Sequence, residues 1–112
     1  MTDPERAAGE QALELANGYI VARAVHVFAE LGLGDALAAG PRTVEELAAV
    51  TGTDAGFLLR VLRLVASYGV GRELEAGRFG PTSLSHALSD GGPDRVRAAV
   101  LQSSDETWWQ AS

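Results

Sequence analysis

The chain has no cysteine. Disulfides, thiolate zinc sites and cysteine nucleophiles are therefore excluded. It also has no lysine; all nine basic residues are arginine. Schiff-base chemistry and a P-loop lysine go with it. Histidine is scarce. His26 and His86 stand alone, 60 positions apart, without an HExxH spacing, so a metal site is not expected. Positive charge is in short supply overall. The net charge is −6, which repels nucleic acid and anionic membrane unless the arginines cluster tightly. No uncharged stretch approaches the roughly 18 apolar residues that span a bilayer. The opening Met1-Thr2-Asp3-Pro4-Glu5-Arg6 is polar and unlike a signal peptide, so a cytoplasmic location is the default.

What remains is 112 residues, 46% of them hydrophobic, enough for one domain with a modest core. The patterning is mostly helical. A first helix is expected from Pro4 to about Leu31, with a possible break at Asn17-Gly18. Its second half is apolar apart from a narrow stripe of Arg23, His26 and Glu30. Such a helix needs cover on most sides, and a domain this small can hardly supply it all. A helix–helix dimer contact is the expected solution. Gly32-Leu33-Gly34 ends the helix, and a short turn at Asp35-Ala36-Leu37 follows. Those glycines match only part of GxGxxG and follow a helix, not a strand, so they form no phosphate cradle.

Thr43-Val44-Glu45-Glu46 reads as a capping box opening a helix that stops at Gly52. Asp54 caps the next helix, which points Phe57, Leu58, Val61, Leu62 and Val65 inward and Gly56, Arg60, Arg63 and Ser67 outward. Val70–Leu74 and Arg78–Gly80 are strand candidates joined by Glu75-Ala76-Gly77. A short helix at 82–88 and another beginning at Pro93 complete the pattern. Helix, turn, helix, hairpin is the order of a winged helix. The expected fold is mainly α, a winged helix-turn-helix-like helical domain with a two-stranded hairpin, interlocked as a dimer.

A winged helix is most often a DNA reader, which needs a basic footprint. Residues 43–90 hold four arginines against six acidic residues. A dimeric DNA-binding regulator is therefore the alternative, behind a winged helix used for packing.

The ordered segments resemble a known family. They are Asn17-Gly18-Tyr19-Ile20 through Phe28-Ala29-Glu30-Leu31-Gly32 to Asp35-Ala36-Leu37, then Thr43-Val44-Glu45-Glu46-Leu47-Ala48, then Leu58-Leu59-Arg60-Val61-Leu62-Arg63 to Gly69-Val70, then Arg78-Phe79-Gly80-Pro81-Thr82. Together they look like the N-terminal dimerisation domain of S-adenosylmethionine-dependent small-molecule O-methyltransferases of bacterial natural-product tailoring. The resemblance implies a homodimer and a domain that does no chemistry itself but roofs the pocket of a hydroxylated small-molecule acceptor. The cofactor, S-adenosylmethionine, is implied for a separate Rossmann-like domain and not for these residues, and no membrane partner is implied. On this reading residues 1–104 are the dimerisation domain, with a winged-helix core at about 43–90. Residues 105–112 begin a linker helix toward a catalytic domain expected to lie beyond this chain. The interface candidates are Leu15, Tyr19, Ile20, Ala22, Val25, His26 and Val100. Trp108 and Trp109 are the pocket candidates, with packing as their simpler role. A third possibility is a free-standing scaffold that pairs with a full-length methyltransferase.

Overall fold

A computed structural model describes residues 3–92 and 96–102. Helix α1 spans Pro4–Glu30. It starts where the sequence allows: Asp3 accepts a hydrogen bond from the Glu5 N–H, and Pro4 supplies a preset φ. It does not break at Asn17-Gly18. The flanking Ala12-Leu13-Glu14-Leu15-Ala16 are strong helix formers, enough to carry one glycine costing about 1 kcal/mol. The Asn17 amide also donates to the Tyr68 hydroxyl at 3.0 Å.

Gly32 takes a left-handed conformation (φ 71°) and turns the chain into α2, Leu33–Ala38. The expected turn at Asp35-Ala36-Leu37 is thus part of a helix, because Leu33 and Leu37 lie one turn apart and both reach the core. α3 spans Val44–Thr51 and α4 spans Ala55–Ala66. The capping box is present: Thr43 Oγ1 accepts from the Glu46 N–H, and Glu46 accepts from the Thr43 N–H. Asp54 caps α4 by accepting from the Phe57 N–H at 2.8 Å.

The hairpin is part of a three-stranded antiparallel sheet, not a two-stranded unit. Strand β1, Arg42–Thr43, pairs with β3, Arg78–Gly80, which pairs with β2, Arg72–Glu75, in the order β1-β3-β2. Two residues are too few to leave a periodic signature, so β1 was invisible in the pattern. Glu75 belongs to β2, and Ala76-Gly77 alone make the turn. α5, Ser83–Ala87, follows, and residues 96–102 are helical.

The core joins Phe28 of α1, Leu33 and Leu37 of α2, Leu47 of α3, Leu58, Leu62 and Val65 of α4, and Phe79 of β3. Val96 and Val100 pack against its edge. Thr82 ties the α4 exit to the start of α5. Its hydroxyl donates to the Gly69 carbonyl and accepts from the N–H groups of Gly71 and Ser85. Thr82→Val keeps the shape and strands these groups. It is expected to cost about 1–3 kcal/mol in a denaturant melt, whereas the exposed neighbour Ser83→Ala should stay within about 0.5 kcal/mol.

Among the described residues no helix is long and apolar enough to cross a membrane.

Candidate subunit interface

From residue 3 to residue 20 every position of the chain is exposed. The N-terminal part of α1 is therefore an arm, about 24 Å long over sixteen residues at 1.5 Å each. The Asn17–Tyr68 hydrogen bond lies at its base. The arm is not polar. Leu13 and Leu15 are 72% and 73% exposed, and Tyr19 and Ile20 are each 52% exposed. Leu13, Ala16, Ile20, Ala24 and Val27 follow one another at steps of three and four, which is one apolar stripe. Leu15, Tyr19 and Ala22 make a second stripe on another side. A helix apolar on more than one side is a buried helix. A helix of about four to five turns with little tertiary support is close to marginal in water, so cover from a partner would stabilise the arm.

The lower end of the first stripe enters a groove of about 300 Å³ between α1 and α4. Ile20, Ala24 and Val27 form one wall, and Phe57, Val61 and Leu64 the other. Arg23 and Arg60 also line it. Phe57, expected to point into the core, is instead 43% exposed here. It lines the groove with Val61 and Leu64 instead of closing into the core.

The other interface candidates are placed as follows. Ala22 is exposed, Val25 is half-buried and packs on the chain's own core, and Val100 is half-buried beside it. His26 is only 5% exposed, while Arg23 and Glu30 of the same polar stripe are exposed. Its Nε2 lies 3.1 Å from a Glu30 carboxylate oxygen. Little of its surface is left for a partner. Trp108, Trp109 and the rest of 105–112 lie outside the described residues. Arg97 was not singled out by the sequence. It donates to the Ala29 carbonyl at 2.7 Å and pairs with Asp90 at 3.1 Å, fastening residues 96–102 to the end of α1. Only its position near a helix C-terminus in space, not in sequence, gives it that role.

Several arginines of the winged-helix surface are already engaged within the chain. Arg63 on α4 makes paired hydrogen bonds to Glu73 of the wing, at 3.0 and 3.1 Å. Arg78 sits 3.6 Å from Glu75, and Arg42 donates to the Ala36 carbonyl. A phosphate backbone would have to displace these acidic partners. Ser85 and His86 form no reactive pair: Ser85 is buried and its hydroxyl bonds to Thr82, while His86 is exposed. No group of three His, Asp or Glu that could hold a metal occurs among the described residues.

The Arg63 hydrogen bonds, and then the Gly77 N–H, hold the Glu73 carboxyl below its usual range. The Thr43 N–H and hydroxyl do the same for Glu46. Both values are depressed by folding, so both groups stabilise the fold fully above the unfolded value near 4.5. That stabilisation fades as the pH falls through the lower folded values. Both groups are exposed and the effect is small. The expected result is that Glu73→Gln narrows the Tm difference between about pH 6 and about pH 3 relative to the wild-type chain.

Residues 13–90 match the model of the O-methyltransferase dimerisation domain. The chain is 43% identical over 96 residues to the phenazine O-methyltransferase PhzM of Lysobacter antibioticus, covering 86% of this chain and 28% of that protein. It is 38% identical over 95 residues to the O-demethylpuromycin-O-methyltransferase of Streptomyces alboniger, covering 85% and 25%. Among solved structures it superposes on CalO1, a methyltransferase in calicheamicin biosynthesis, with a TM-score of 0.83 at 43% identity, over 97% of this chain and 32% of that one. The chain thus spans about a quarter of the length of the curated relatives it matches. The helical layout, the small sheet and these matches agree: the chain belongs to the O-methyltransferase dimerisation domain family.

Proposed function

We propose that this chain is the homodimerisation module of a cytoplasmic S-adenosylmethionine-dependent O-methyltransferase of natural-product tailoring. The observation that carries this is the α1 arm, whose Leu13, Leu15, Tyr19 and Ile20 are all more than half exposed. Leu15, Tyr19, Ile20 and Ala22 supply the contact, with Val25, His26 and Val100 behind them. The relatives named above methylate small molecules, which supports a hydroxylated aromatic acceptor. The reaction moves the methyl group of S-adenosylmethionine to the acceptor hydroxyl oxygen, with loss of the hydroxyl proton, in a part of the enzyme other than this module. This domain forms part of the acceptor pocket wall, to which Trp108 and Trp109 contribute.

The test is methyl transfer from labelled S-adenosylmethionine by the whole polypeptide that carries this module, across a panel of phenols and hydroxylated heteroaromatics. Label on an acceptor hydroxyl is expected. No transfer to any acceptor, together with salt-dependent DNA binding by the module at micromolar concentration, would replace this reading with the regulator.

A further inference from the structure

We infer that residues 96–102 are a strap that closes on the end of α1 with Arg97 as its latch, and that the closed strap sets the direction in which the polypeptide continues. In the enzyme reading above, on which this second part rests, Arg97 is a positioning residue for the acceptor. It touches no substrate; it fixes how the pocket wall meets the part of the enzyme that holds the cofactor.

Helix α1 has no basic residue in its last turn. The carbonyls there form the negative end of a 27-residue helix, and no cation of that turn meets them. Arg97 brings one from 68 positions away. Its Nε donates to the Ala29 carbonyl at 2.7 Å, and its Nη1 donates to the Asp90 carboxylate at 3.1 Å. The Asp90 N–H in turn donates to both carboxylate oxygens of Asp35, at 3.1 and 3.2 Å, in the first turn of α2. One guanidinium thus joins the exit of α1, the entry of α2 and the loop after α5. Its planar fork holds two acceptors in fixed directions, which a lysine ammonium does not reproduce. Ala29 is fully buried and the Asp90 side chain is exposed, so the Ala29 bond is the sheltered half of the latch.

The rest of the segment holds on lightly. No residue of 96–102 is fully buried: Val96, Val100 and Leu101 are half-buried, and Ala98, Ala99 and Gln102 are exposed. Short helices are marginal in water without tertiary support, so docking and helix formation in 96–102 go together. Opening also leaves α1 intact. The Ala29 carbonyl accepts from the Gly32 N–H as well, at 3.2 Å, so withdrawing Arg97 orphans no acceptor. A segment with few buried apolar contacts and one strong charge-assisted tie opens at less cost than the core unfolds.

Hydrogen–deuterium exchange on the chain tests the latch by itself. The amides of residues 100–102 are expected to be protected in the wild-type chain. Arg97→Met is expected to speed their exchange about tenfold or more, while α3 and α4 keep their wild-type rates. Arg97→Lys, which keeps the charge but not the fork, is expected to fall between the two. Asp90→Asn spares the sheltered bond and is expected to change the rate less than Arg97→Met. Exchange that rises equally in α3, α4 and residues 100–102 would overturn the strap, because Arg97 would then hold the whole fold and not a separate segment. An unchanged rate at 100–102 would overturn it too.

Kinetics of the whole polypeptide that carries this module test the positioning role. Arg97→Met is expected to raise the KM for the acceptor about fivefold or more and to leave the KM for S-adenosylmethionine within about twofold, with Arg97→Lys restoring part of the loss. A wild-type acceptor KM in a variant whose strap has opened would remove the positioning role and leave the strap. A wild-type polypeptide that transfers no methyl group removes the enzyme reading and the positioning role together, and the exchange measurement still decides the strap.

Discussion

Ile20→Glu is expected to weaken self-association by about 30- to 1,000-fold, the equivalent of about 2–4 kcal/mol at a contact centre. Ile20 belongs to both the exposed arm and the groove wall, so any partner on this face buries it. A carboxylate there would be carried into an apolar contact without a partner, which costs far more than the lost methyl groups. The fold itself should survive, because Ile20 is 52% exposed in the single chain and Glu is a good helix former. Sedimentation velocity against concentration measures the first effect, and circular dichroism the second. Leu15→Glu, on the second stripe, should act in the same direction. Glu5→Gln, near the arm tip, should leave the dimer almost unchanged.

Gly34→Ala is expected to destabilise the fold by about 1–3 kcal/mol, and toward the upper end of that range. A Cβ at Gly34 would stand 2.6 Å from the Ser85 carbonyl oxygen, 2.9 Å from the Ser89 nitrogen and 3.0 Å from the Leu88 carbonyl carbon. All three are backbone atoms, so no side chain can rotate away. Relief requires α2 and α5 to separate, which opens the core at Leu33, Leu37 and Leu88. For a domain of this size the loss corresponds to a Tm drop of about 4–8 °C per kcal/mol. The melt has to be run at one protein concentration, because a dimer's Tm depends on it. Gly9→Ala and Gly18→Ala are the controls. Beyond the backbone of its own helix, neither Cβ would meet an atom of the described residues within 4 Å. In the single chain both substitutions should be neutral or mildly stabilising, since Ala favours the helix by about 1 kcal/mol.

Local signals in the sequence were readable wherever the physics was local. The caps at Thr43 and Asp54 and the glycine stop at Gly52 stand where side-chain chemistry places them. So does the inward face Leu58, Val61, Leu62 and Val65 of α4, set by the helical period. The ordered segments also carried the family resemblance that the match over residues 13–90 shows. Features decided by distant residues were not readable. β1 exists because Arg42 and Thr43 find Phe79 and Arg78 across the sheet, a partnership two residues cannot announce. Gly34 looked like a helix stop, yet what demands glycine there is the backbone of α5, some fifty positions away. His26 stands in the narrow polar stripe of α1, but how deeply it is buried depends on tertiary packing. Phe57 keeps the α4 period, yet it lines the α1–α4 groove and not the core. The arm itself was legible only as excess: more apolar surface on one helix than a small domain could cover.

That excess is the centre of the account, and sedimentation equilibrium of the chain tests it most directly. At tens of micromolar the account predicts a single species of twice the 11.7 kDa chain mass. A species of one chain mass across that range, with α1 still helical by circular dichroism, would contradict it.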